Sequence, residues 1–191
     1  LRLIHIQKNI DIEIREQIDF AKILYNKGLY LQSLKLLDRV KGIAKEHHQD
    51  SLHLEIVEQE KYIESGYITR SMETRSDILA AESKKRYNVI STASKLSNLS
   101  LRLYGLYIRT GHIRNQKDAY IVWEFFKSNL PDIDINKLTF YEKVHWYQCH
   151  IWYNYILQDF LKCYSNSLRW VELQRTTCHD LDRSLSVPTC L

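Results

Sequence analysis

Three groups of side chains in this 191-residue chain have residue types suited to metal or nucleophilic chemistry. His145, Cys149 and His150 share one helical neighbourhood, and residues four apart can place two zinc ligands on the same helix face. No second ligand pair follows at a suitable spacing, so no metal is expected there. Cys178, His179 and Asp180 have the letters of a nucleophile, a base and an orienting acid. Three consecutive residues cannot face one another as those roles require. His47, His48 and His53 gather near a helix junction and read as polar surface. No glycine-rich phosphate loop, GxSxG, HExxH or paired-carboxylate motif occurs, and only 5 glycines are present. Three of them are needed as helix stops or packing contacts, which leaves no material for a phosphate cradle. The expectation is a non-catalytic chain without cofactor or metal.

Charge narrows the partners little. The net charge of +4 divides evenly between the two halves, with neither a basic arm nor an acidic tail. The run Lys84-Lys85-Arg86 lies near Asp77 and Glu82, which dilute it, and reads as a solvated helix face. The four cysteines, Cys149, Cys163, Cys178 and Cys190, lie late in the chain without a CxxC pair. They read as reduced thiols and point to a cytoplasmic location. The opening LRLIHI is cut short by Gln7, Lys8 and Asn9, so no secretory leader is expected, and no apolar run is long enough to span a bilayer. The chain begins at Leu1 already in helical phase, as a piece of a longer protein would.

The elements that must position any site are helices. With 5 Gly and 2 Pro, few tight turns are expected, which favours long regular elements. Leu3, Ile6, Ile10, Ile14, Ile18, Ala21 and Leu24 recur at three- and four-residue steps, the face of a helix ending near Asn26 and stopped by Gly28. Tyr30, Leu34, Leu37, Val40 and Ala44 give a second helix, closing near His47. A third runs from about Ser51 to Ser65, with Leu52, Ile56, Tyr62 and Ile63 on its apolar side. A fourth covers about Glu73 to Leu96, with Ile78, Ala81, Val89, Ala93 and Leu96 as a thin stripe. Asn98 and Ser100 read as the cap of a fifth, which stops at Gly111. A sixth spans about Gln116 to Asn129, a seventh Tyr141 to Leu157 and an eighth Phe160 to Gln174. Residues 175–191 lack periodicity and read as a poorly ordered tail.

Consecutive helical hairpins invite a search for repeats. Phe20–Val40 can be laid over His150–Trp170, so that Tyr25 meets Tyr155, Gly28 meets Gln158, Tyr30 meets Phe160 and Ser33 meets Cys163. The segment YGLYIRTG then places Gly105 on Ala21 and Gly111 on Gly28. In this register Gly105 occupies a small-residue position where a partner helix is expected to cross at close range.

Leu101, Tyr104, Gly105, Ile108 and Gly111 resemble the first helix of the tetratricopeptide repeat. Ala119, Trp123, Phe126 and Pro131 resemble its second helix, with three extra residues in the turn, and the first hairpin matches through Ala21, Gly28, Tyr30 and Ser33. The whole chain also resembles an uncharacterised bacterial family of tetratricopeptide-like proteins. The resemblance implies an all-α, right-handed superhelix of about four antiparallel hairpins over residues 1–174. It also implies a concave groove lined by first-helix positions: Arg15, Lys22 and Tyr25, then Arg102 and Arg109, then His145, Gln148, Trp152 and Tyr155. Every charge in that set is positive or potentially positive. Cations with aromatic neighbours suit an extended chain bearing carboxylates or phosphates. The expected function is a scaffold for a protein or acidic peptide, with single-stranded nucleic acid as the alternative occupant of the same groove. No membrane partner is expected, and self-association through the N-terminal helix is an open route.

Overall fold

The computed structural model describes residues 2–66 and 72–185, with side chains described over 10–66 and 75–176. Within these residues the chain forms seven α-helices and no strand. The chain divides into two compact units, Leu1–Ile90 and Ser91–Leu191, where the sequence led us to expect one continuous array.

The first unit holds α1 (Arg2–Asn26), α2 (Tyr30–Glu46), α3 (Asp50–Gly66) and the first half of α4 (Met72–Thr110). Its core is the predicted apolar stripes: Ile10, Ile14, Ile18 and Ala21 of α1 against Leu34, Leu37, Val40 and Ala44 of α2 and Leu52, Ile56 and Ile63 of α3. Burying each large aliphatic side chain contributes about 1.5–3 kcal/mol relative to leaving it exposed. The two small residues predicted at the α1–α2 crossing are both buried, and the Ser33 hydroxyl donates to the Ala21 carbonyl at 2.7 Å.

One turn geometry recurs. At Gly28, His48 and Gln158 the chain takes a left-handed conformation, with φ of 75°, 56° and 59°. At each, the left-handed residue donates to the carbonyl three residues back (Tyr25, Lys45, Tyr155). The next residue donates to the carbonyl five back (Leu24, Ala44, Asn154). This is the paired closure that satisfies the last carbonyls of a helix. Each following helix starts two residues beyond the left-handed residue. Gly28 and Gln158 are the positions that the repeat alignment superposes.

The second unit continues α4 and adds α5 (Gln116–Asn129), a short 3-10 turn (Ile135–Lys137), α6 (Phe140–Ile156) and α7 (Phe160–Leu185). Its core gathers Leu96, Leu99 and Leu103 of α4, Val122 and Phe126 of α5, and Cys149 and Ile156 of α6. Two side chains define the start of α5 and α6. Asn115 accepts from the Asp118 amide at 2.9 Å, and Glu142 reaches back to the Thr139 amide at 2.7 Å. Both satisfy amides that a helix start leaves free.

Several expectations are corrected. The fourth and fifth predicted helices are one, because Leu96, Leu99 and Leu103 carry the buried stripe straight through the Asn98–Ser100 cap signal. Packing outweighs the capping preference there. Helix α7 runs to Leu185, so 175–185 is helical backbone rather than a tail. In α4 the buried residue is Leu79, while Ile78 is exposed, and in α3 Tyr62 is exposed. Gly105 is not at a close crossing: a Cβ placed on it would meet nothing within 4 Å.

Candidate functional site

The nine residues assigned to the groove behave differently in the two units. In the first, Arg15 pairs with Asp11 at 3.4 Å, and Lys22 lies 3.4 Å from Asp19 and 3.3 Å from Glu55 of α3. Their charge is neutralised by neighbouring helix residues. Tyr25 packs against Tyr30 and Tyr62, with ring centroids 5.3 and 5.4 Å away. Its hydrogen bond to Tyr62 raises the phenol pKa above the ordinary value, as does desolvation.

In the second unit the predicted residues fall into three places. Trp152 and Tyr155 of α6 join an aromatic cluster with Tyr104 and Tyr107 of α4 and His112, with centroid separations of 4.8–6.0 Å. Tyr107 hydrogen-bonds Tyr155, which raises its pKa, and so repeats the Tyr25–Tyr62 pairing. Arg102 donates to Asn129 Oδ1 at 2.9 Å and stacks over Phe125 at 4.9 Å. Arg109 donates its Nε to the Gly105 carbonyl at 3.3 Å. His145 and Gln148 bond to each other at 3.0 Å. Among the described residues neither Arg102 nor Arg109 has a carboxylate within ion-pairing distance.

The segment after α4 is held against the α6–α7 turn. His112 Nδ1 lies 3.0 Å from the Tyr155 carbonyl, the Ile113 amide donates to the Ile156 carbonyl at 3.2 Å, and Gln158 Nε2 donates to the Ile113 carbonyl at 3.1 Å. This fixes a cavity of about 440 Å³ with Leu106, Ile113, Ile121 and Val122 as its apolar lining and Arg109 and Arg114 as its cations. Asp118 stands in the same cavity, so its net charge is positive but not extreme. Arg114 was not among the sequence-predicted residues; it lies in a loop, where periodicity gives no signal.

The first unit contains a feature that sequence reading missed. Glu60 and Glu64 of α3 are buried, and their partners come from α2 and α4. Lys41 reaches Glu60 at 2.8 Å and Glu82 at 3.6 Å, His53 bonds Glu82 at 2.7 Å, and Arg75 pairs with Glu64 at 2.6 Å. Arg86 pairs with Asp50. Burial holds the Glu60 carboxyl above its ordinary range, against the pull of Lys41. His47 and His53 are buried too, which corrects their reading as polar surface. The basic run at 84–86 is divided: Lys84 and Lys85 are exposed, and Arg86 turns inward to Asp50.

Among the described residues the candidate metal ligands do not assemble. The Cys149 thiol donates to the Leu96 carbonyl at 3.1 Å, and burial pushes its pKa up to about 12, which keeps it protonated and unreactive. His150 is bonded to the Trp146 carbonyl and His145 to Gln148. Among the described residues no three His, Cys, Asp or Glu side chains stand close enough to share a metal ion. The side chains of Cys178, His179 and Asp180, and those of Leu3 and Ile6 in the proposed self-association face, lie outside the described residues, as does Cys190. No described helix is long and apolar enough to cross a membrane.

The chain matches no protein-family model, no characterised protein and no solved structure.

Proposed function

We propose that this chain is a non-catalytic, tetratricopeptide-like helical repeat protein that binds an extended acidic segment of a protein or peptide. The binding surface is assigned to the α4 face of the second unit. The recurrence of one turn at Gly28, His48 and Gln158, and the matching aromatic pairs Tyr25–Tyr30 and Tyr155–Phe160, support the repeat reading.

The observation that carries the binding assignment is the contrast between paired and unpaired cations. Arg15 and Lys22 are neutralised by neighbours, whereas among the described residues Arg102 and Arg109 are bonded only to neutral groups. The two guanidiniums are seven residues apart on one helix, about 10 Å along its axis. An extended chain spans that distance in about three residues. Leu101, Tyr104 and Ile108 are exposed at 68%, 43% and 63% on the same stretch. Exposed apolar groups beside uncompensated guanidiniums suit a segment that alternates carboxylates with apolar side chains.

The test is selection from a displayed library of short peptides, followed by binding measurements across a salt series. Enrichment of Asp/Glu-rich peptides with interspersed apolar residues supports the assignment. Preference for a single-stranded oligonucleotide competitor, with the steep salt dependence of phosphate contacts, gives the surface to nucleic acid instead.

A further inference from the structure

A second concavity lies wholly in the later unit and shares no residue with the surface proposed above. It has a volume of about 810 Å³, within the range of small-molecule sites, and lies between α5, the 130–133 loop, α6 and the start of α7. Its walls are rings. Phe126 stacks on Tyr153 with centroids 4.1 Å apart, Trp146 stacks on His150 at 3.5 Å, and Trp123 forms one margin.

Its polar groups include two amides. Asn154 is almost fully buried and donates one Nδ2 hydrogen to the His150 carbonyl at 2.7 Å, which leaves its Oδ1 as an acceptor and its second N–H as a donor. Asn166 does the same, donating Nδ2 to the Lys162 carbonyl at 2.8 Å. The His150 ring gives its Nδ1 to the Trp146 carbonyl at 2.9 Å, so that its Nε2 is a lone-pair acceptor in the neutral ring. Burial lowers the His150 pKa and favours that neutral form. At the margin, Lys127 rests 4.8 Å over the Trp123 ring and has no carboxylate partner among the described residues. Lys162 also lines the cavity but is engaged by Asp159 at 2.7 Å.

An aromatic wall takes a flat ring, amides with both an oxygen and an N–H to offer take the donors and acceptors on the edge of that ring, and an ammonium without a carboxylate partner takes an anion attached to it. We propose that this cavity binds a nucleobase carrying a phosphate, with the base against the Phe126–Tyr153 and Trp146–His150 rings and the phosphate at Lys127. The ligand is a free nucleotide or one unit of a single strand. Asp132 also lines the cavity, and its carboxylate disfavours more than one phosphate.

The test uses the full chain. Tryptophan fluorescence and calorimetry are recorded with AMP, GMP, adenosine, inorganic phosphate and a short oligo(dA). Saturable one-to-one binding of a mononucleotide is expected, with tryptophan quenching. A charge-assisted contact implies that Lys127→Gln weakens AMP or GMP about tenfold and adenosine by less than about twofold. Asn166→Leu, which removes the amide, weakens nucleotide and nucleoside alike. Binding of oligo(dA) without the mononucleotides assigns the source to a strand and keeps the chemistry. The proposal is overturned if neither binds, if inorganic phosphate alone binds as tightly as AMP, or if Lys127→Gln/Asn166→Leu binds like the parent at unchanged helicity.

Discussion

Lys41 of α2 sets its ammonium 2.8 Å from the carboxylate of Glu60 on α3, and the Glu60 side chain has no solvent exposure. Arg75 stands 3.8 Å from Glu60, and Glu82, which Lys41 also faces at 3.6 Å, lies 2.7 Å from the His53 ring. Desolvating such a pair offsets much of its Coulomb attraction, whereas removing one member leaves a buried charge uncompensated. Lys41→Met is therefore expected to cost about 3 kcal/mol in urea unfolding. The double change Lys41→Met/Glu60→Leu is expected to recover most of that loss. Equal destabilisation by the single and double variants would show that the contact with Glu60 is not where the cost arises.

Acid should loosen the fold in the histidine range. His48, His53 and His150 all have pKa values lowered from the ordinary 6.5, chiefly by burial. A ring that holds its proton less readily when folded contributes stability above about pH 6.5, and that contribution is lost as pH falls through this value toward the folded pKa. Glu82, lowered by His53 and Lys41 against its own burial, adds a second loss at more acid pH. Glu60, raised by burial, acts in the opposite sense: its contribution is present below the ordinary carboxylate pKa and fades as pH rises through the folded one. Melting temperature should fall between pH 7 and pH 5, with a smaller fall in His53→Gln. A flat profile across that interval would contradict the histidine assignment.

The glycines divide into two kinds. Gly28 and Gly111 have φ of 75° and 70°, where a side chain is strained, so alanine at either should cost about 1–2 kcal/mol. Gly105 lies inside α4 with open space around its missing side chain, so Gly105→Ala should stabilise by about 0.5–1 kcal/mol. Thermal denaturation of the three variants decides this. Loss of stability in Gly105→Ala would restore the close helix crossing that the repeat alignment implied.

The apolar half of the fold was legible in the sequence, and the polar half was not. Ile10, Ile14 and Ile18, and Leu34, Leu37 and Val40, lie at helical spacing and are buried as that spacing requires. The stop at Gly28 and its counterpart at Gln158 were readable because the flanking aromatic residues repeat. By contrast, the inward face of α4 in the first unit carries Arg75, Leu79, Glu82, Ser83 and Arg86. A hydrophobic period cannot find an inward stripe in which Leu79 is the one large apolar member among charged and polar residues, and it settled one residue off, on Ile78. The cap signal at Asn98–Ser100 misled for a related reason, since local preference is weaker than the packing of Leu96, Leu99 and Leu103. At the candidate site, sequence put Arg102 and Arg109 of the proposed surface in one groove with Arg15, Lys22, Trp152 and Tyr155. It could not tell the two arginines from Arg15 and Lys22, whose carboxylate partners include Glu55 on another helix.

The central claim is that uncompensated guanidiniums on α4 capture an acidic segment. The most direct measurement is the affinity of the best library-selected acidic peptide for Arg102→Glu/Arg109→Glu beside Arg15→Glu/Lys22→Glu, by fluorescence anisotropy with helicity checked by circular dichroism. Capture should be lost in the first variant and change little in the second, at equal helical content. Equal affinity of the Arg102→Glu/Arg109→Glu variant and the parent would contradict the claim.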